Sequence, residues 1–138
     1  MGLPIQSILG HSPKLRALWE AQAKFNAGDV VVVIDTANVA PAPTAAVWSY
    51  TVSFGLQTAA GEEIPYTGNI VAGAANTSTA GTAAVDDASP AVVLGKGSVV
   101  FSGDAAAWLD TETATLTLTY TDAYAQAHTD TFVVTFTA

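Results

Sequence analysis

Threonine stands at every odd position over 111–121, while Ala114, Leu116, Leu118 and Tyr120 fill even positions between them. A two-residue period puts the threonines on one face of an extended strand and the apolar residues on the other, which a helix cannot do. The final run repeats the pattern, with Phe132, Val134 and Phe136 facing one way and Thr131, Val133, Thr135 and Thr137 the other. Joined by a loop at 123–127, the two runs predict a hairpin with one core face and one threonine face.

The same period recurs upstream, where Trp48, Tyr50, Val52, Phe54 and Leu56 alternate with Ser49, Thr51, Ser53 and Gly55. Asp29 opens the run Val30-Val31-Val32-Val33-Ile34, whose lack of alternation predicts a strand covered on both faces. Ala40-Pro41-Ala42-Pro43 is stiff and extended, either a linker or the kink at which a first strand crosses between two sheets. Turns are expected at Ala60-Gly61-Glu62-Glu63, Asp86-Asp87-Ala88-Ser89-Pro90 and Gly95-Lys96-Gly97, and the small-residue stretch 68–81 is weakly patterned. Six or seven strands separated by turns predict an all-β domain, a sandwich over 29–138.

Residues 1–28 differ from that body. Ser12-Pro13 reads as a helix cap followed by a first-turn proline, and Gly28 is placed to end the helix, which is expected over 13–26. Leu15, Leu18, Trp19 and Phe25 fall near one stripe, and Lys14, Arg16 and Lys24 supply three of the chain's four cationic residues. These seven residues form a candidate docking arm, whose apolar stripe must be buried on the chain's own body or on a neighbour.

The net charge of −8 disfavours nucleic acid and anionic membranes as partners. Zero cysteines exclude disulfides and thiolate chemistry, so stability must come from packing. The opening ten residues lack the basic and long apolar regions of a signal peptide or membrane helix, which predicts a soluble product made in the cytosol.

Within the last third, Glu112-Thr113-Ala114-Thr115-Leu116-Thr117-Leu118 resembles the entry to the penultimate strand of immunoglobulin-like domains. Leu116 stands where that pattern has tyrosine and Leu118 where it has cysteine, so an antibody-type domain is not implied. The stretch from Thr77-Ser78-Thr79-Ala80-Gly81-Thr82-Ala83 through Ser102-Gly103-Asp104-Ala105-Ala106-Ala107-Trp108-Leu109 is similar in style to Ig-like structural proteins of tailed bacteriophages. That resemblance implies an immunoglobulin-like β-sandwich and a virion role: a capsid decoration protein that contacts capsid or other virion proteins, or its own copies.

Catalytic candidates are sparse. His11 and His128 lie far apart; His128 has Asp122 and Asp130 near it as conceivable metal ligands, but a solvated loop is the simpler reading. Asp86, Asp87, Asp104, Asp110 and Glu112 include enough carboxylates for calcium or for a glycosidase pair, yet no ordered ligand run or aromatic cleft accompanies them. Trp48 is in phase with a core face, whereas Trp108, between alanines and acids, is the freer of the two. Trp108 and Tyr124 are therefore the candidate loops of the alternative function, an adhesion or carbohydrate-binding module of a tail fibre; a small tail or connector component is the other alternative. Asn76-Thr77-Ser78 is an incidental sequon. The expectation is a non-enzymatic protein with no cofactor, no metal and no catalytic residues.

Overall fold

The computed structural model describes residues 30–122 and 124–138, and no helix occurs among them. The expected helix over 13–26, with Lys14, Leu15, Arg16, Leu18, Trp19, Lys24 and Phe25, lies outside the described residues, as does His11.

The described chain is all-β. Its strands are β1 (Val30–Ile34), β2 (Trp48–Thr58), β3 (Gly68–Asn69), β4 (Val71–Asn76), β5 (Ala83–Val85), β6 (Ala91–Val92), β7 (Lys96–Gly103), β8 (Thr113–Thr121) and β9 (Ala127–Thr135). They pair antiparallel into a four-stranded sheet in the order β1-β2-β7-β5, a three-stranded sheet in the order β4-β8-β9, and the short pair β3-β6. The expected hairpin is β8 and β9, in register from Thr113 opposite Thr135 to Thr121 opposite Ala127. On its inner face Ala114, Leu116, Leu118, Phe132 and Val134 are fully buried, as the period requires.

Those inner faces meet the other sheet through aromatic rings. Tyr50 of β2 lies 5.9 Å from Phe132 of β9, and Phe101 of β7 meets Phe132 edge-on at 6.2 Å. Trp48 packs edge-on against Phe101, Trp108 and Phe136 at 5.4, 5.4 and 5.9 Å. Rings tilted in this way add to the burial of their area.

The sheets are also tied along both sides. After β1 the chain leaves the first sheet, and Val39 pairs in parallel with Val134 of β9. Val39 N–H donates to Val133 O at 3.2 Å, Thr135 N–H to Val39 O at 3.0 Å, and Thr137 N–H to Pro41 O at 2.9 Å. Of the two readings of the proline stretch, the kink at a sheet crossing is the one adopted; proline suits this edge because it has no N–H to pair. On the opposite side Ile70 N–H donates to Pro90 O and Ala72 N–H to Ala88 O, so the sheets curl toward each other there as a half-barrel.

Three local expectations are corrected. Val30 and Val32 are buried but Val31 and Val33 are only half-buried, β1 being the edge strand of its sheet among the described residues. Nine strands occur among the described residues, since β3 and β6 are two-residue pieces too short to show a period. The hairpin turn before β7 is centred on Leu94 and Gly95, with φ of 50° and 82°, ahead of the expected Gly95-Lys96-Gly97.

The tryptophans explain two glycines. Gly103 lies opposite Trp48 in the β2–β7 register, and a Cβ there would run into the Trp48 indole; a Cβ on Gly81 would lie 2.5 Å from Trp108 Cε2. Gly103→Ala is therefore expected to destabilise the protein by about 1–3 kcal/mol through overpacking. Gly73→Ala, where a Cβ meets nothing within 4 Å, should be neutral or stabilise by up to ~1 kcal/mol. Urea unfolding of the two variants beside the parent protein checks both outcomes.

Candidate functional site

Beyond Thr121 the chain turns through a loop organised by one carboxylate. Asp122 Oδ1 accepts the backbone N–H groups of Tyr124 at 2.8 Å and Gln126 at 3.0 Å, while Oδ2 meets His128 Nε2 at 2.9 Å. Backbone bonds close the turn, from Asp122 N–H to Gln126 O and from Ala125 N–H to Asp122 O, with Ala125 held at φ 62°. An aspartate whose oxygen reaches N–H groups two and four residues on shapes the turn locally, so the loop needs no core of its own.

His128 belongs to this construction and is not the solvated loop residue expected. Its ring stacks on Tyr120 at 6.2 Å, and Tyr120 meets Tyr66 edge-on at 5.3 Å. The His128 side chain keeps 15% exposure and that of Asp122 none. The hydrogen bond from His128 holds the Asp122 carboxyl below the usual carboxylate range against the opposing effect of burial, with the Gln126 and Tyr124 N–H groups assisting. Burial pushes the Tyr120 phenol up to about 12, helped by Tyr66 and Asp122. The phenol is thus protonated at neutral pH, and the arrangement acts as a stacked lock that presents Tyr124 to solvent at 68% exposure.

The remaining loop carboxylates do not converge. Asp86 Oδ1 accepts from Val100 N–H, Asp87 from Ser89 N–H, and Asp110 from Ala138 N–H, each at 2.9 Å. Asp104 accepts from the N–H and hydroxyl of Thr82, the backbone bond being the larger cause of its lowered pKa. Glu112 bridges Leu109 N–H and Thr79 N–H. Each acid holds a different turn, and no group of three His, Cys, Asp or Glu side chains gathers as a metal site among the described residues. Asp130, on β9, accepts from Ile34 N–H at 2.8 Å and so fastens β1 to the second sheet. Lys96 pairs with Glu63 at 2.9 Å on the surface, where such pairs contribute little.

The paired ligand loops at Trp108 and Tyr124 are a correction. Trp108 is 1% exposed, stacked on Phe136 at 5.1 Å, and its backbone bridges Thr44 in both directions. It is core, and the length of β8 separates it from Tyr124, so the two cannot share a ligand. Alanines and acids around Trp108 suggest exposure locally; the space that receives it is made by Gly81 and Phe136, both remote in sequence. Sequence reading also missed the role of Asp122, whose signal was an aspartate placed where the Thr alternation stops. Asn76 of the sequon accepts from Ser78 N–H at 3.0 Å, a turn within the loop.

No protein-family model matches the chain, and no characterised protein matches it in sequence.

Two outcomes follow from this geometry. Trp108→Ala is expected to cost about 3–5 kcal/mol of stability, so global unfolding in chemical denaturant, not selective loss of a ligand, is its signature. For Asp122, a folded-state pKa below the usual aspartate range means that its stabilisation is present above that range and lost as pH falls through the depressed value. Asp122→Asn should therefore melt below the parent protein at pH 7, and the gap should close on acidification beneath the ordinary carboxylate range. Thermal melts across pH measure it.

Proposed function

We propose that the chain is a non-enzymatic structural protein of a virion, a capsid decoration protein of a tailed bacteriophage, with an immunoglobulin-like sandwich as its body and residues 1–28 as its docking arm. The observation that carries this reading is the strand order. With β1, β2, β4, β5, β7, β8 and β9 taken as strands A to G, the sheets run A-B-E-D and C-F-G, the arrangement of constant-type immunoglobulin domains. The parallel pairing of Val39 with the last strand fits a first strand divided between both sheets.

The distribution of charge supports a module that packs among copies. The outward positions of the second sheet are Val71, Gly73 and Ala75 on β4, the odd-numbered threonines of β8, and Thr129, Thr131, Val133 and Thr135 on β9. None of them is charged, and the described acids lie in loops or, as Asp130, facing β1. An uncharged face lets neighbours of a strongly acidic protein approach without opposing carboxylates. The engagement of the loop carboxylates in their own turns supports a structural role over an enzymatic one. Virion proteins and other copies of this chain are the partners, and the virion is the location.

The adhesion alternative retains Tyr124 alone, as an exposed aromatic on a fixed loop; binding on a glycan array that Tyr124→Ala abolishes would favour it over decoration.

Deleting residues 1–28, and separately replacing Leu15 and Leu18 with aspartate in the full chain, tests the docking arm. Lattice binding through many copies multiplies weak contacts, so both changes should lower co-sedimentation with capsids of the encoding phage by about 10²-fold or more. Unchanged association of folded variants overturns the arm's role.

A further inference from the structure

The described chain starts at Val30, which pairs with Thr58 at the edge of the first sheet. The place where residues 1–29 join the body is flanked by exposed apolar side chains on two sides. On one side Val32 pairs with Leu56, and Leu56 N–H donates to Gly95 O at 2.8 Å. This sets the 93–96 turn two strand spacings from β1, roughly 10 Å; there Val93 and Leu94 are 61% and 66% exposed. On the other side Ile34 is bonded to Asp130 and Val39 runs parallel to Val134. Following β1 and β9 back in that sense brings Val30 beside the 122–127 loop, which displays Tyr124.

The same end is acidic. Thr58 N–H donates to Glu62 O, so Glu62 and Glu63 lie on the turn beside Val30, both exposed. Of the chain's 12 acidic residues only Glu20 and Asp29 precede Val30, whereas three of its four cationic residues do. In the sequence, apolar residues at helical spacing with bases among them thus precede Val30, which itself lies beside an apolar surface with an acidic flank. A short tether raises the effective concentration of the segment at that surface to the millimolar range.

We propose that this end of the body is the seat of the chain's own residues 13–26 in the free protein. Leu15, Leu18, Trp19 and Phe25 would then cover Val93, Leu94 and Tyr124, with Lys14, Arg16 and Lys24 drawn to Glu62 and to Glu63, which Lys96 also pairs with. This goes beyond the decoration reading, because it concerns the protein before it meets any partner. An arm that docks elsewhere must first leave this seat, so emptying the seat should favour docking.

The chain has no cysteine, so spin labels can be placed at Ala17→Cys, off the apolar stripe, and Gln126→Cys, on the exposed loop, in the full-length protein. The expected result is one narrow interlabel distance distribution that persists when labelled protein is diluted with an excess of unlabelled protein. Adding Leu94→Asp and Tyr124→Asp, at exposed positions that leave the core intact, should broaden the distribution while the thermal melt of the body is retained. A broad distribution in the parent, or one the double aspartate variant leaves unchanged, overturns the proposal. A narrow distribution lost on dilution also overturns it, assigning the seat to the arm of a second copy. Capsid co-sedimentation of the same variants is read separately, so failure of the seat and failure of the decoration role are distinguishable.

Discussion

One cluster of rings packs the two sheets against each other. Trp48, Phe101, Trp108, Phe132 and Phe136 come from two strands of the first sheet, the β7–β8 connection, β9 and the residue just after it. With no disulfide available, the cluster is what prevents the sheets from sliding, and each fully buried large side chain contributes about 1.5–3 kcal/mol. It carries a penalty as well: among the described residues neither Trp48 Nε1 nor Trp108 Nε1, both buried, has a hydrogen-bond partner, and a buried donor left without one costs about 1–3 kcal/mol. Apolar packing outweighs two unsatisfied donors here, and the side-chain-free sites at Gly81 and Gly103 make that packing possible.

Because the core is apolar and the sheet faces carry hydroxyls, the carboxylates are left to organise the loops. Asp122, Asp104, Asp86 and Glu112 each accept backbone N–H groups that no strand partner reaches. An acid used this way replaces water at a turn and narrows the conformations open to the loop. The acidity of the chain is thus partly a structural requirement of its turns, independent of any partner.

Legibility followed the length of the repeat. β8 was readable because its nine residues alternate threonine with apolar side chains, the second half of β9 because Phe132 and Val134 mark its inner face, and β2 because its aromatics mark one face. β5 spans three residues of small side chains and is defined by its pairing with the longer β7, while β3 and β6 are two residues each and pair with one another, which no local pattern can announce. The proline stretch was readable as either a linker or a crossing between sheets, and Val39 beside Val134 decides for the crossing. At the site, Asp122 and His128 are six positions apart and lay within reach of sequence reasoning. The burial of Trp108 did not, since the residues that enclose it come from both ends of the domain.

The bond from Ile34 to Asp130 joins residues 96 positions apart, and the Val39–Val134 pairing does the same for the next stretch of chain. Contacts of such separation require nearly the whole chain to be closed into a loop before they form, which slows folding. The first strand therefore has one of its two neighbours only after the last strand has left the ribosome. Until β9 has been made, β1 and β2 are paired without the contacts that Asp130 and Val134 supply.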